Sequence, residues 1–107
     1  AKAPTEVSIN TQTGNYTLAL SDNYKLIEVN SGSARTITIP TNTAVTFPIG
    51  TQILISQYGA GQVTITPDTG VTLRSSGGKT KTAAQYAMAT LVKRGTNEWY
   101  LAGDLTT

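Results

Sequence analysis

Two stretches of the chain alternate β-branched apolar and hydroxyl side chains residue by residue: Thr36-Ile37-Thr38-Ile39-Pro40 and Val63-Thr64-Ile65-Thr66-Pro67. A period of two sends one set of side chains inward and the other into water, the pattern of half-buried antiparallel strands. Strands of this kind build a surface. The chemistry-bearing residues are sparse: no His, no Cys and six carboxylates. Residue chemistry alone therefore describes a small all-β binding or structural module.

At 107 residues the chain suits one domain, residues 1–107, with one core. Charged residues make up 13 %, against about 25 % in soluble proteins generally. Thr, Ser, Asn and Gln take their place and give a neutral surface that tolerates close contact. The net charge is +2, so the sequence pI near 9.1 reflects few titrating groups. That is too little for a nucleic-acid partner, which needs several phosphate-neutralising residues in one stripe. Without Cys, stability has to come from packing or oligomerisation. No stretch approaches the ~20 consecutive apolar residues of a membrane span, and Ala1-Lys2-Ala3-Pro4 lacks the apolar core of a secretory signal. A start at Ala fits removal of an initiator Met before a small residue, and fits a trimmed chain equally well. Residues 1–5 are expected to form a flexible or anchoring N-terminal arm.

Strands are expected near residues 6–10, 16–20, 25–30, 35–39, 44–47, 52–57, 62–66, 71–74, 85–94 and 98–102. Turn residues separate them, among them Thr13-Gly14-Asn15, Asn30-Ser31-Gly32-Ser33, Gly59-Ala60-Gly61, Pro67-Asp68-Thr69-Gly70 and Gly95-Thr96-Asn97. Turns at intervals of about 8–12 residues are those of a small antiparallel β-sandwich or a jelly-roll-like barrel. The Ala-rich stretch 83–89 has no helix cap before it, and Tyr86, Thr90 and Val92 suit a strand. A faint echo relates Pro40–Phe47 to Pro67–Leu73 once one residue is skipped. Convergent turn chemistry is the favoured explanation over duplication.

Few motifs point to catalysis. Gly78-Lys79-Thr80 resembles the end of a phosphate-binding loop, but Leu73 stands where the leading glycine is required and no helix pattern follows. Gly59-Ala60-Gly61 joins two strand patterns and reads as a hairpin or strand crossover. Triads built on Ser or Cys need a base that the chain lacks. Glu6, Glu28 and Glu98 lie in strand patterns, whereas Asp22 and Asp68 sit at turns and Asp104 near the terminus, so nothing pairs them for glycoside hydrolysis. Asp22-Asn23 is too thin for a calcium loop. The expectation is a non-enzymatic protein with no cofactor and no metal.

Charge is unevenly placed. Between Asp68 and Glu98 the chain has no acid and five bases: Arg74, Lys79, Lys81, Lys93 and Arg94. If the loop after Arg74 folds beside Lys93-Arg94, these make a basic patch for acidic glycans, a lipid surface or an acidic subunit. A solvated rim is the favoured plainer reading. In the last strand Trp99 shares a face with Leu101 and is expected in the core, leaving Tyr100 exposed. Tyr58, beside the Gly59–Gly61 turn, is a second exposed ring. The candidate surface-contact residues are thus Tyr58, Tyr100, Arg74, Lys79, Lys81, Lys93 and Arg94.

Several segments, in order, resemble a module recurring in tailed-bacteriophage virion proteins. They are Tyr16–Asp22, Lys25–Asn30, Thr36–Pro40, Phe47–Ile53, Gly59–Ile65, and the ending Tyr86–Lys93, Trp99 and Gly103-Asp104-Leu105. The resemblance runs from about Tyr16 to Leu105. It implies a non-enzymatic virion part of the tail-fibre, tail-associated or capsid-decoration type, a homo-trimer exposed on the particle and contacting other virion proteins. It supplies no catalytic residues to carry over. The alternative is a carbohydrate-binding module for a host-surface glycan, with Tyr58 and Tyr100 exposed near each other.

Overall fold

The computed structural model describes residues 6–107, so the expected N-terminal arm lies outside the described residues. The first six strands form three successive arches, each placing one strand in each of two sheets. The arches are β1 (Ser8–Gln12) with β2 (Tyr16–Thr17), β3 (Lys25–Val29) with β4 (Arg35–Ile39), and β5 (Gln52–Gln57) with β6 (Val63–Pro67). Each arch lies parallel on the previous one, setting Ile27 beside Ile55 and Ile37 beside Ile65. The expected alternation holds: Ile37, Ile39, Val63 and Ile65 are buried, while Thr36, Thr38, Thr64 and Thr66 point outward.

The antiparallel expectation requires correction. Of the nine strand pairings among the described residues, five are parallel, and both sheets are mixed. A period of two is common to both kinds of strand, so alternation cannot separate them. Connection decides. The 30–34 and 58–62 segments pass the chain from one sheet to the other instead of reversing it within one. Each arch consequently returns in the same direction as the arch below. Gly59-Ala60-Gly61 is accordingly the strand crossover that the sequence suggested.

The rest of the chain closes this stack. β7 (Thr72–Ser75) leads through a 3-10 turn to β8 (Lys81–Thr82), and β9 (Met88–Gly95) returns antiparallel to β5. β10 (Glu98–Gly103) folds back on β9, and β11 (Leu105–Thr106) pairs with β8. The first sheet has the order β1-β3-β5-β9-β10-β7 and the second β11-β8-β6-β4-β2.

Four expected strands differ in extent by two residues or more, the first of them, expected at 6–10, running over Ser8–Gln12. Residues 44–47 form a turn, with the Ala44 and Val45 amides donating to Thr41 O, yet Phe47 still reaches the core. Its ring meets Trp99 edge-on at 5.4 Å. The strand expected at 85–94 begins only at Met88, because Tyr86 takes a left-handed φ of 71°. The strand expected at 16–20 stops at Thr17 and gives way to a 3-10 turn at Leu20–Asp22. The echo between Pro40 and Pro67 does not superpose in the stack, where Ile39 lies beside Pro67.

The inward ladder changes character at the first arch. Below it stand Ile27, Val29 and Ile37; above them in register stand Asn10, Gln12 and Tyr16. These polar groups are tied together by buried Asp22. Its Oδ1 accepts from Asn10 Nδ2 at 3.0 Å, and its Oδ2 from the Tyr16 hydroxyl at 2.6 Å and the Ala19 amide at 2.8 Å. Gln12 Nε2 donates to Asn10 Oδ1 at 2.8 Å. The aliphatic core thus ends under a hydrogen-bonded polar lid, the role that atypical terminal units play in stacked proteins.

Burial, then the hydrogen bond and charge of Asp22, raise the Tyr16 phenol above its ordinary value of 10.0. A raised folded-state pKa contributes stability that is whole below the unfolded value and is lost as pH rises through the folded one. As pH rises past about 10, wild-type melting temperature is expected to fall more steeply than that of Tyr16→Phe, with parallel behaviour below about pH 9. Parallel slopes in thermal melts on the alkaline side would refute this.

Candidate functional site

The outer face of the first sheet carries the side chains whose parity is opposite to the core. Its middle row is Ile9, Leu26, Leu54, Thr90 and Ala102 across β1, β3, β5, β9 and β10. Beside it, Tyr100 is level with Val92 and Arg74. Eight large apolar side chains are exposed among the described residues, and six belong here. Ile9, Met88 and Tyr100 stand on its strands, whereas Tyr24, Tyr58 and Tyr86 flank the strand ends. The outer face of the second sheet differs: it presents Thr17, Thr36, Thr38, Thr64, Thr66 and Lys81.

Tyr100 is exposed and Trp99 buried, as alternation in β10 requires. Tyr58 is exposed as well. The two rings are not neighbours, which corrects the expectation of a shared aromatic site. Tyr100 is level with Val92 and, through β9, with Gln52. Tyr58 lies six residues beyond Gln52, roughly 20 Å along the strand. Its actual partner is Tyr86, at 6.0 Å between ring centroids and 69° between planes. Tyr86 and Tyr24 are the two described non-glycine residues with positive φ, 71° and 61°. Sequence reasoning assigned neither to a contact site, because a left-handed backbone at a tyrosine has no local signature.

The basic cluster separates. Arg74 Nε and Arg94 Nη1 both reach Glu98, at 2.8 and 2.7 Å, but the loop after Arg74 runs the other way, toward residues 101–105, so it does not fold beside Lys93-Arg94 as expected. The hydrogen bonds donated by Arg74 and then Arg94 hold the Glu98 carboxyl below its ordinary range, and the bond that Arg94 donates to Glu98 raises Arg94 in turn. Lys79 lies beyond the edge strand β7, and Lys81 belongs to the second sheet.

Lys93 is the clear correction: it is 2 % exposed and unavailable for surface contact. Its parity on β9 is that of Ala89 and Leu91, so its side chain enters the core beside Trp99. There Nζ donates to Asn42 Oδ1 at 2.6 Å and Phe47 O at 2.7 Å, which ties the 42–47 turn to β9. Burial pushes the ammonium below its ordinary pKa.

An open groove of about 530 Å³ runs along the β7–β10 edge between Arg74, Ser75, Ser76, Tyr100 and Ala102. A smaller hollow of about 260 Å³ continues it past Lys79 to Leu105. The arrangement offers one aromatic ring, two cationic side chains and serine hydroxyls, a set that can hold a polar ligand by stacking and hydrogen bonding. Among the described residues, no three His, Cys, Asp or Glu side chains gather as metal ligands. No described helix is long and apolar enough to cross a membrane.

Comparison with protein-family models, curated proteins and solved structures finds no match to this chain. The all-β fold stands on the strands and pairings themselves.

Proposed function

We propose that the chain is a non-enzymatic structural module of a tailed-bacteriophage virion, exposed on the particle as a tail-fibre or tail module or as a capsid decoration protein. It works by oligomeric assembly and surface contact, with a homo-trimer as the state that the resemblance implies. The observation that supports this reading best is the concentration of exposed rings and aliphatic side chains on one sheet face. Contiguous exposed apolar surface on a small protein marks an interaction site. The Thr-rich second face adds a neutral surface suited to close packing against neighbouring virion proteins. Native mass spectrometry tests the assembly: a stable oligomer is expected, and a monomer at all working concentrations would remove the main support.

The groove beside Tyr100 favours one second reading, a host-glycan-binding module. On that reading, titration with acidic oligosaccharides gives saturable binding that Tyr100→Ala abolishes and Tyr58→Ala, roughly 20 Å away, leaves intact.

A further inference from the structure

We infer that the outer face of the first sheet is a twofold self-association surface, with a second copy of this chain as its occupant. The inference rests on the self-assembly in the reading above, but puts a twofold pair in place of a bare trimer.

Three observations carry it. The first is strain. Tyr86 and Tyr24 hold left-handed backbone that costs a tyrosine more than it costs Gly or Asn. Both rings are largely exposed, and the Tyr86 ring's one ring contact among the described residues is with Tyr58, itself exposed. The Tyr86 turn is held in place by its own backbone, with the Tyr86 amide donating to Gln57 O at 2.6 Å and the Gln57 amide to Ala87 O at 3.0 Å. The strained residues flank opposite ends of one face and extend its apolar surface.

Size is the second. Six strands spaced by about 4.8 Å, with rows spanning some 20 Å, give a footprint of roughly 600 Å² per copy, or about 1,200 Å² for a pair. That reaches the range of specific interfaces. The flat aliphatic centre around Leu26 and Leu54 suits the opposed faces of a sandwich.

The third is charge. Along the strand direction the face is polarised. Glu28 is level with Met88 through Ser56, and the Asp104 amide donates to Met88 O, so two acids lie at that end. Arg74 and Arg94 lie at the opposite end, sharing Glu98. Arg94 is six residues from Met88 along β9, roughly 20 Å. A twofold axis lying across the strands and tilted by roughly 25° brings Glu28 on β3 of one copy toward Arg94, two strands away on β9, of the other, and does so reciprocally. Parallel superposition without this turn would set like charges together.

The test is native mass of the whole chain, with folding checked by circular dichroism and thermal melts. Wild type is expected as two copies, or as six if a separate threefold contact also forms. Leu54→Glu is expected to weaken pairing at least about 100-fold, by burying a charge at the centre. Tyr86→Gly is expected to weaken it about tenfold without lowering the melting temperature, since glycine accepts the backbone conformation. Glu28→Arg should weaken pairing, and Glu28→Arg combined with Arg94→Glu should restore most of it. Thr64→Glu, on the opposite sheet, should leave the mass unchanged. A wild type of one or three copies overturns the twofold inference, and three copies would still support the assembly reading. A Leu54→Glu protein that is folded and still paired, or a charge exchange that restores nothing, also overturns it.

Discussion

Gly61→Ala is expected to destabilise the protein by about 3 kcal/mol or more, as backbone overpacking without room to relax. A Cβ at this position would lie far inside contact distance of Ser33 O and 2.9 Å from Ser31 O. Gly59 meets the same wall: its Cβ would stand 2.6 Å from Ser31 N and 2.8 Å from Ser31 C. In both cases the obstacle is main chain, which cannot rotate aside as a side chain can. The 58–62 crossover lies directly on the 30–34 crossover, joined by the Gly61 amide donating to Ser31 O at 2.8 Å. Widening this corner would lift the third arch from the second. Gly14→Ala is the control, because its Cβ would meet nothing within 4 Å, and a change within about 0.5 kcal/mol is expected there. Chemical denaturation of both variants decides the matter. Equal stabilities would show that the corners yield.

Asp22→Ala is expected to cost roughly 3 kcal/mol, because three donors lose their acceptor at a site closed to water. The Asn10 amide, the Tyr16 hydroxyl and the Ala19 amide all converge on this carboxylate. The expected consequence is local first. The lid over the first arch should open, so amide exchange should quicken in β1 and the Ala19–Asn23 turn before it quickens in β5 and β9. Asp22→Asn, which retains one acceptor oxygen and the shape, should fall between the two. An alanine variant as stable as wild type would show that the first arch is held by its strand pairing alone.

Much of this fold is legible residue by residue. The Thr–Ile rhythm placed Ile37, Ile39, Val63 and Ile65 inside and their threonines outside, and alternation in β10 separated buried Trp99 from exposed Tyr100. Lys93 was legible too, had parity been weighed above charge. It stands two residues after Leu91 on an inward-facing row, and only the Asn42 and Phe47 oxygens make that position tenable for an ammonium. Other features had no sequence signal. Val45 and Phe47 reach the core from a turn, and Tyr86 leaves the strand pattern at a residue whose neighbours suit a strand. Tyr58 and Tyr86, 28 positions apart in the sequence, meet because β5 and β9 pair.

The sequence by itself determined most of the longer strands and which side of each is wet, because these follow from side-chain chemistry acting over a few residues; the 44–47 turn and the short strands β8 and β11 were not among its expectations. Tertiary structure alone decided the direction in which strands pair. A period of two is the same in parallel and antiparallel ladders, and the choice depends on whether a turn returns the chain within its sheet or carries it to the other. The contact face was decided there as well. Ile9, Met88 and Tyr100 come from three separate strands, and only the order β1-β3-β5-β9-β10-β7 places them on one surface.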